Sequence, residues 1–87
     1  MTRVTCMNED DLLLVAQARA DARSGRAREI RCAAGVSQSE VAATCGVDRV
    51  AVSLWESGHR TPRGEPAVRY GRVLRMLDAG NTRREAA

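Results

Sequence analysis

The chain has 87 residues, room for one domain near the lower size at which an apolar core suffices without metals or disulfides. With no Phe, one Trp and one Tyr, that core must be aliphatic and alanine-rich, which favours close-packed short helices over a β-sandwich and predicts an all-α fold. The formal charge of +3 is unevenly placed, because residues 1–25 hold three arginines against four acids while residues 26–87 hold eleven against seven.

Three cysteines, Cys6, Cys32 and Cys45, and one histidine, His59, are too scattered for a zinc site or a disulfide framework. Cys32 and Cys45 therefore read as small buried apolar residues in a reducing cytosol. The apolar run from Leu12 to Ala16 is too short for a signal peptide and follows acids, Glu9, Asp10 and Asp11, where a signal would have basic residues. No stretch is long enough to span a membrane. These features predict a cytoplasmic protein with no membrane partner, no metal and no cofactor.

Residues 1–7 have no hydrophobic period and read as a disordered arm. Asn8, followed by three acids, is a good helix opening, with a capping side chain and negative charge against the helix dipole. It predicts an extra N-terminal helix over 9–23. Its apolar residues Leu12, Leu13, Leu14, Val15, Ala18 and Ala22 cover more than one face, so the helix either caps a small core or leaves a surplus face for a second copy. Ser24 and Gly25 end it. A second helix runs from about Arg26 to Ala34, with Ala27, Ile30, Arg31 and Ala34 at helical spacing and Gly35 beyond.

The densest signals lie over residues 37–58. Ser37 and Glu40 form a reciprocal capping box that opens a helix near Gln38, and Gly46 closes it. Asp48 caps a second helix, 49–57, which stops at Gly58. Val41, Ala42, Cys45, Val52 and Trp55 fall where two helices crossing at close range need apolar residues, with Val47 in the turn. Ala42, Gly46 and Val52 are the fifth, ninth and fifteenth residues counted from Gln38 as the first. That spacing is a helix-turn-helix. Residues 59–64 read as a basic, turn-rich loop, and a fifth helix runs from about Glu65 or Pro66 to Asp78. Its inner face is Ala67, Tyr70, Gly71, Leu74 and Leu77, with Arg69, Arg72 and Arg75 as a solvated flank. Residues 79–87, after a potential stop at Gly80, read as a frayed tail.

The run GVSQSEVAATCGVDRVAVSLWESGHRTP resembles the phage-repressor or Cro-like helix-turn-helix proteins, also called xenobiotic-response-element regulators. Gly-aliphatic-Ser-Gln, Glu two residues on, the small alanine, the Gly-Val turn and a closing Glu-x-Gly before Arg-x-Pro all agree in order without a gap. The resemblance implies a compact bundle of about five short helices, lambda-repressor-like, with a repressor-like core over 26–78. It also implies that Arg31 pairs with Glu56 as a structural salt bridge.

Such a motif lays its second helix in the major groove of duplex DNA and its first across the backbone. The resemblance therefore implies that Arg49, Val50 and Ser53 face base edges with Leu54 beside them. Gln38, Arg60 and Arg63 would meet phosphates. Arg31, Ala42, Gly46, Val52, Trp55, Glu56 and Gly58 are structural. The forked donors of arginine suit phosphates and guanine edges, although the absence of lysine by itself reads as GC-rich codon usage. The implied function is a sequence-specific DNA-binding regulator, a repressor of phage or host. One short helix reads too few base pairs to select a site, so a homodimer is expected, through Leu12, Leu13, Leu14 and Val15, with the end of the fifth helix near Leu77 as competitor. Because Val50, Ala51 and Leu54 stand where relatives carry longer polar side chains, a protein-protein interaction module such as an antitoxin or phage regulatory partner is the alternative. No nucleophile has a base beside it and no glycine loop suits a phosphate, so no enzyme activity is expected.

Overall fold

Short-range polar signals set where three of the helices begin. In a computed structural model, which describes residues 8–86, Asn8 Oδ1 accepts the Asp11 N–H at 2.8 Å and opens α1, Glu9–Ser24. After the single residue Gly25 comes α2, Arg26–Ala33. The Ser37 hydroxyl accepts the Glu40 N–H at 3.0 Å while the Glu40 carboxylate accepts the Ser37 N–H at 2.8 Å, a complete capping box at the head of α3, Gln38–Cys45. Asp48 Oδ1 accepts the Ala51 N–H at 3.0 Å and opens α4, Arg49–Glu56. The longest element, α5, spans Gly64–Ala86. Among the described residues the fold is all-α, five helices with no strand, as composition predicts.

The sharp turn between α3 and α4 depends on Gly46, whose φ of +77° lies in the left-handed region. A Cβ there would be strained by the backbone and would also stand 3.0 Å from the Arg69 guanidinium. The two helices thus meet through three residues, Gly46, Val47 and Asp48, and cross over Ala42 and Val52, both buried.

The main core gathers small and aliphatic side chains from all five helices around one aromatic pair. The Trp55 and Tyr70 rings lie 4.6 Å apart between centroids, tilted by 42°, within a shell that includes Ala18, Ala27, Ile30, Val41 and Leu74. A smaller cluster joins Leu14 and Val15 of α1 to Ala67 and Val68 of α5. Here α1 and α5 approach closely because Gly71 has no side chain; a Cβ on it would fall 2.6 Å from the Leu14 carbonyl oxygen.

Several expectations are corrected by this arrangement. Leu14 and Val15, grouped above with Leu12 and Leu13 as a dimer contact, are buried within the chain itself, because the crossing at Gly71 brings α1 down onto Ala67 and Val68. Only Leu12 and Leu13 of that set stay exposed, at 61% and 65%. Cys32 is exposed on the outer side of α2, whereas Cys45 is buried. Residues 79–86 are helical rather than frayed. Gly80 does not adopt a left-handed conformation, and the buried Asn81 donates its side-chain amide to the Ile30 carbonyl of α2 at 3.1 Å, which fastens the extra turns to the bundle. The arm expected over residues 1–7, with Arg3 and Cys6, lies outside the described residues.

Candidate nucleic-acid interface

Helix α4 divides its surface sharply. Val52 and Trp55 point into the core, while Arg49 and Val50 are exposed and Ser53 and Leu54 half-buried. Arg49, Val50 and Ser53, spaced i, i+1 and i+4, share the side turned away from Val52 and Trp55. With only eight residues, α4 has too little intrinsic helical stability to hold that face in place alone, so its orientation must come from packing and from polar ties.

Those ties run through Glu56, the last residue of α4. Its side chain is 4% exposed and receives three hydrogen bonds. Arg31 of α2 forms a two-pronged pair with it, Nε to Oε2 at 2.6 Å and Nη2 to Oε1 at 3.0 Å, and spends its Nη1 on the Val36 carbonyl at 2.9 Å. The hydrogen bond to Glu56 raises the already high pKa of Arg31, so the guanidinium is charged at every accessible pH. Gln38 of α3 donates its Nε2 to Glu56 Oε1 at 3.0 Å, and its own Oε1 accepts from Arg49 Nη1 at 3.2 Å. A single chain of contacts therefore runs from Arg31 through Glu56 and Gln38 to Arg49, linking α2, α3 and the exposed start of α4. Both ends of the Gln38 amide are held by protein groups.

The charge of the surface can be followed through its pairings. Among the described residues four ion pairs form: Arg26–Asp78, Arg31–Glu56, Arg69–Glu65 and Arg72–Asp11. Arg49, Arg60 and Arg63 appear in none of them, and all three are exposed. The loop that carries Arg60 is folded back on α4, where the Leu54 carbonyl accepts the N–H groups of His59 at 2.9 Å and Arg60 at 3.2 Å. Ser57 Oγ also meets His59 Nδ1 at 2.8 Å. His59, Arg60 and Arg63 line a concave space of about 520 Å³ together with Val47, Ala51 and Trp55. Gly58, at φ +81°, makes the bend.

Two contacts of this region have no sign in the sequence. The Gln38–Arg49 contact joins residues eleven apart on different helices, and Arg69, read as part of a solvated flank, reaches the turn at Gly46. Neither leaves a periodic signal, because each depends on the helix crossing angle.

A family model described as helix-turn-helix matches residues 28–79, more than half of the chain, and spans the whole of α3, the turn and α4. The chain belongs to the Cro/C1-like helix-turn-helix family of the xenobiotic-response-element type. It is a helix-turn-helix regulator of the DNA-binding kind. The matched region begins at residue 28, so α1 lies outside it. No curated protein and no solved structure matches the chain. Among the described residues no helix is long and apolar enough to cross a membrane, and no group of His, Cys, Asp and Glu is placed to hold a metal ion.

Proposed function

We propose that this helix-turn-helix protein is a sequence-specific transcriptional repressor that inserts α4 in the major groove of duplex DNA. The observation that carries this reading is that Arg49 at the start of α4 and Arg60 and Arg63 in the loop that follows it are exposed and without carboxylate partners, while α4 itself is tied from within by Glu56. Unpaired guanidinium groups bind phosphate without first breaking an internal ion pair.

Arg49 would take the two acceptors of a guanine edge, a contact that discriminates by about 1–3 kcal/mol against the wrong base. Its bond to Gln38 limits the rotamers it must give up on binding. Val50, 54% exposed, would meet a thymine methyl group, with Ser53 bonding a neighbouring base edge and Leu54 closing the apolar side. Arg60 and Arg63 would hold phosphates on either side of the groove, and Gln38, its amide held by Glu56 and Arg49, would act on DNA by positioning Arg49. Where such a site overlaps a promoter, α4 in the groove would keep other proteins from the same duplex, and repression would follow from binding.

A two-fold dimer completes the reading, since one eight-residue helix cannot select a site among millions of competitors. The exposed pair Leu12 and Leu13 is the part of the N-terminal helix left for such a contact, and Met76, 72% exposed beside Leu77 on α5, is the competing surface. The reading is tested by fluorescence anisotropy of labelled genomic duplexes against salt. Binding should weaken steeply as salt rises, because each neutralised phosphate releases a counterion. A folded sample that binds no duplex at low salt would instead favour the interaction-module alternative, in which the outward Val50 faces another protein.

A further inference from the structure

A second concave site lies away from the helix-turn-helix. It opens between α1, α2 and α5, has a volume of about 360 Å³, and none of its lining residues belongs to α3, the turn or α4. That volume lies within the range of small-molecule sites. Leu14, Ala18, Ile30 and Leu74 give it an apolar floor.

Its charges are arranged unusually. Asp21, on α1, is only 7% exposed, and its Oδ1 accepts a hydrogen bond from Gln17 Nε2 at 3.0 Å. Among the described residues it has no ion pair. The Gln17 amide is neutral, so the carboxylate has no ion-pair partner within the protein and is open to pairing with a cation that enters the cavity. Arg26, which also lines the site, is already held by Asp78 at 3.0 Å. Arg75, exposed at the rim, has no carboxylate partner among the described residues. The cavity thus combines an unmatched negative charge, an unmatched positive charge and an apolar floor.

We propose that this cavity binds a small zwitterion with an apolar body, of the class of free aliphatic or aromatic amino acids. The ammonium group of the ligand pairs with Asp21, its carboxylate pairs with Arg75, and its side chain covers Leu14, Ala18, Ile30 and Leu74. A simple cation would leave Arg75 unmatched, and an anion would leave Asp21 unmatched. A neutral apolar molecule would leave both.

Thermal unfolding of the full chain, followed by circular dichroism, tests this with valine, leucine, methionine and phenylalanine as free L-amino acids, and with leucinamide and N-acetylleucine as single-charge controls. At least one free amino acid should raise the melting temperature in a saturable way, since a ligand that binds only the folded state stabilises it. Leucinamide and N-acetylleucine should bind at least about tenfold more weakly than leucine, the loss expected for one charged contact of about 1.4 kcal/mol. Arg75→Gln, at an exposed position, should remove the difference between leucine and leucinamide, and Asp21→Asn the difference between leucine and N-acetylleucine. Absence of a saturable shift with all four amino acids, or equal shifts in wild type and Arg75→Gln, would overturn the proposal. DNA takes no part in these measurements, so their outcome is separate from the reading of α4.

Discussion

Replacing Glu56 with alanine tests the framework that orients α4. The substitution deletes the acceptor of three hydrogen bonds, two from Arg31 and one from Gln38, in a place where the Glu56 side chain is 4% and the Arg31 side chain 12% exposed. Arg31 would keep only the Val36 carbonyl as partner, leaving a nearly buried guanidinium without its counter-charge. Removing one partner of a buried pair costs about 3–5 kcal/mol. A domain of this size has a total stability of about 4–13 kcal/mol, at roughly 0.05–0.15 kcal/mol per residue, so the loss is a large fraction of it. At about 4–8 °C per kcal/mol, the melting temperature should fall by at least about 12 °C. Urea unfolding followed by Trp55 fluorescence and by circular dichroism measures the change. Arg49→Ala, at an exposed position, should stay within about 0.5 kcal/mol of wild type. The double replacement Arg31→Met with Glu56→Leu should recover much of the loss, because removing both charges leaves none unpaired. If Glu56→Ala also fell within about 0.5 kcal/mol of wild type, the buried pair would have no part in holding α4.

Three further outcomes follow from local geometry. Gly71→Ala should destabilise by about 1–3 kcal/mol, measured by urea unfolding, because the new Cβ would stand 2.6 Å from the Leu14 carbonyl oxygen; the resulting separation of α1 and α5 outweighs the roughly 1 kcal/mol that alanine gains over glycine in a helix. Cys45, whose thiol burial pushes up to about 11, should resist iodoacetamide in the native protein while exposed Cys32 reacts, as read by peptide mass spectrometry with and without urea; equal labelling of both in the native state would contradict the core. Hydrogen bonds from the Ser37 backbone and hydroxyl hold the Glu40 carboxyl below its ordinary value of 4.5, so the stability it contributes is present above that pH and lost as pH falls through the lowered value. The gap in melting temperature between wild type and Glu40→Ala should therefore be open at neutral pH and close in acid, and a gap independent of pH would show that the capping box contributes nothing through charge.

What the sequence shows of this molecule depends on how far apart the interacting residues lie. The helix-turn-helix is legible because its signals are local: Ser37 and Glu40 cap each other across three residues, Gly46 turns the chain, and Asp48 caps across three more. The pairing of Arg31 with Glu56 spans 25 residues and enters only through resemblance to a family. Contacts with no such precedent stayed hidden. Gly80 reads as a helix stop, yet the chain continues because Asn81 reaches a carbonyl 51 residues away. Leu14 and Val15 look like surplus apolar surface until Gly71 allows α1 to settle on Ala67 and Val68. Asp21 falls on the same helix face as Ala18 and Ala22, and its burial beside Gln17 has no counterpart in local sequence preference.

In the proposed complex α4 reads bases through Arg49 while Arg60 and Arg63 hold the backbone. Selection from a pool of randomised duplexes, carried out with wild type, Arg49→Ala and Arg63→Ala, measures this most directly. Wild type should enrich a two-fold symmetric motif with half-sites about 34 Å apart. Arg49→Ala should lose preference at one guanine in each half-site, at a cost of about 1–3 kcal/mol confined to that position. Arg63→Ala should keep the same motif and bind every sequence more weakly, with a shallower salt dependence. An unchanged motif in Arg49→Ala, or no enriched motif from folded wild-type protein, would contradict the assignment of α4 as the reading helix.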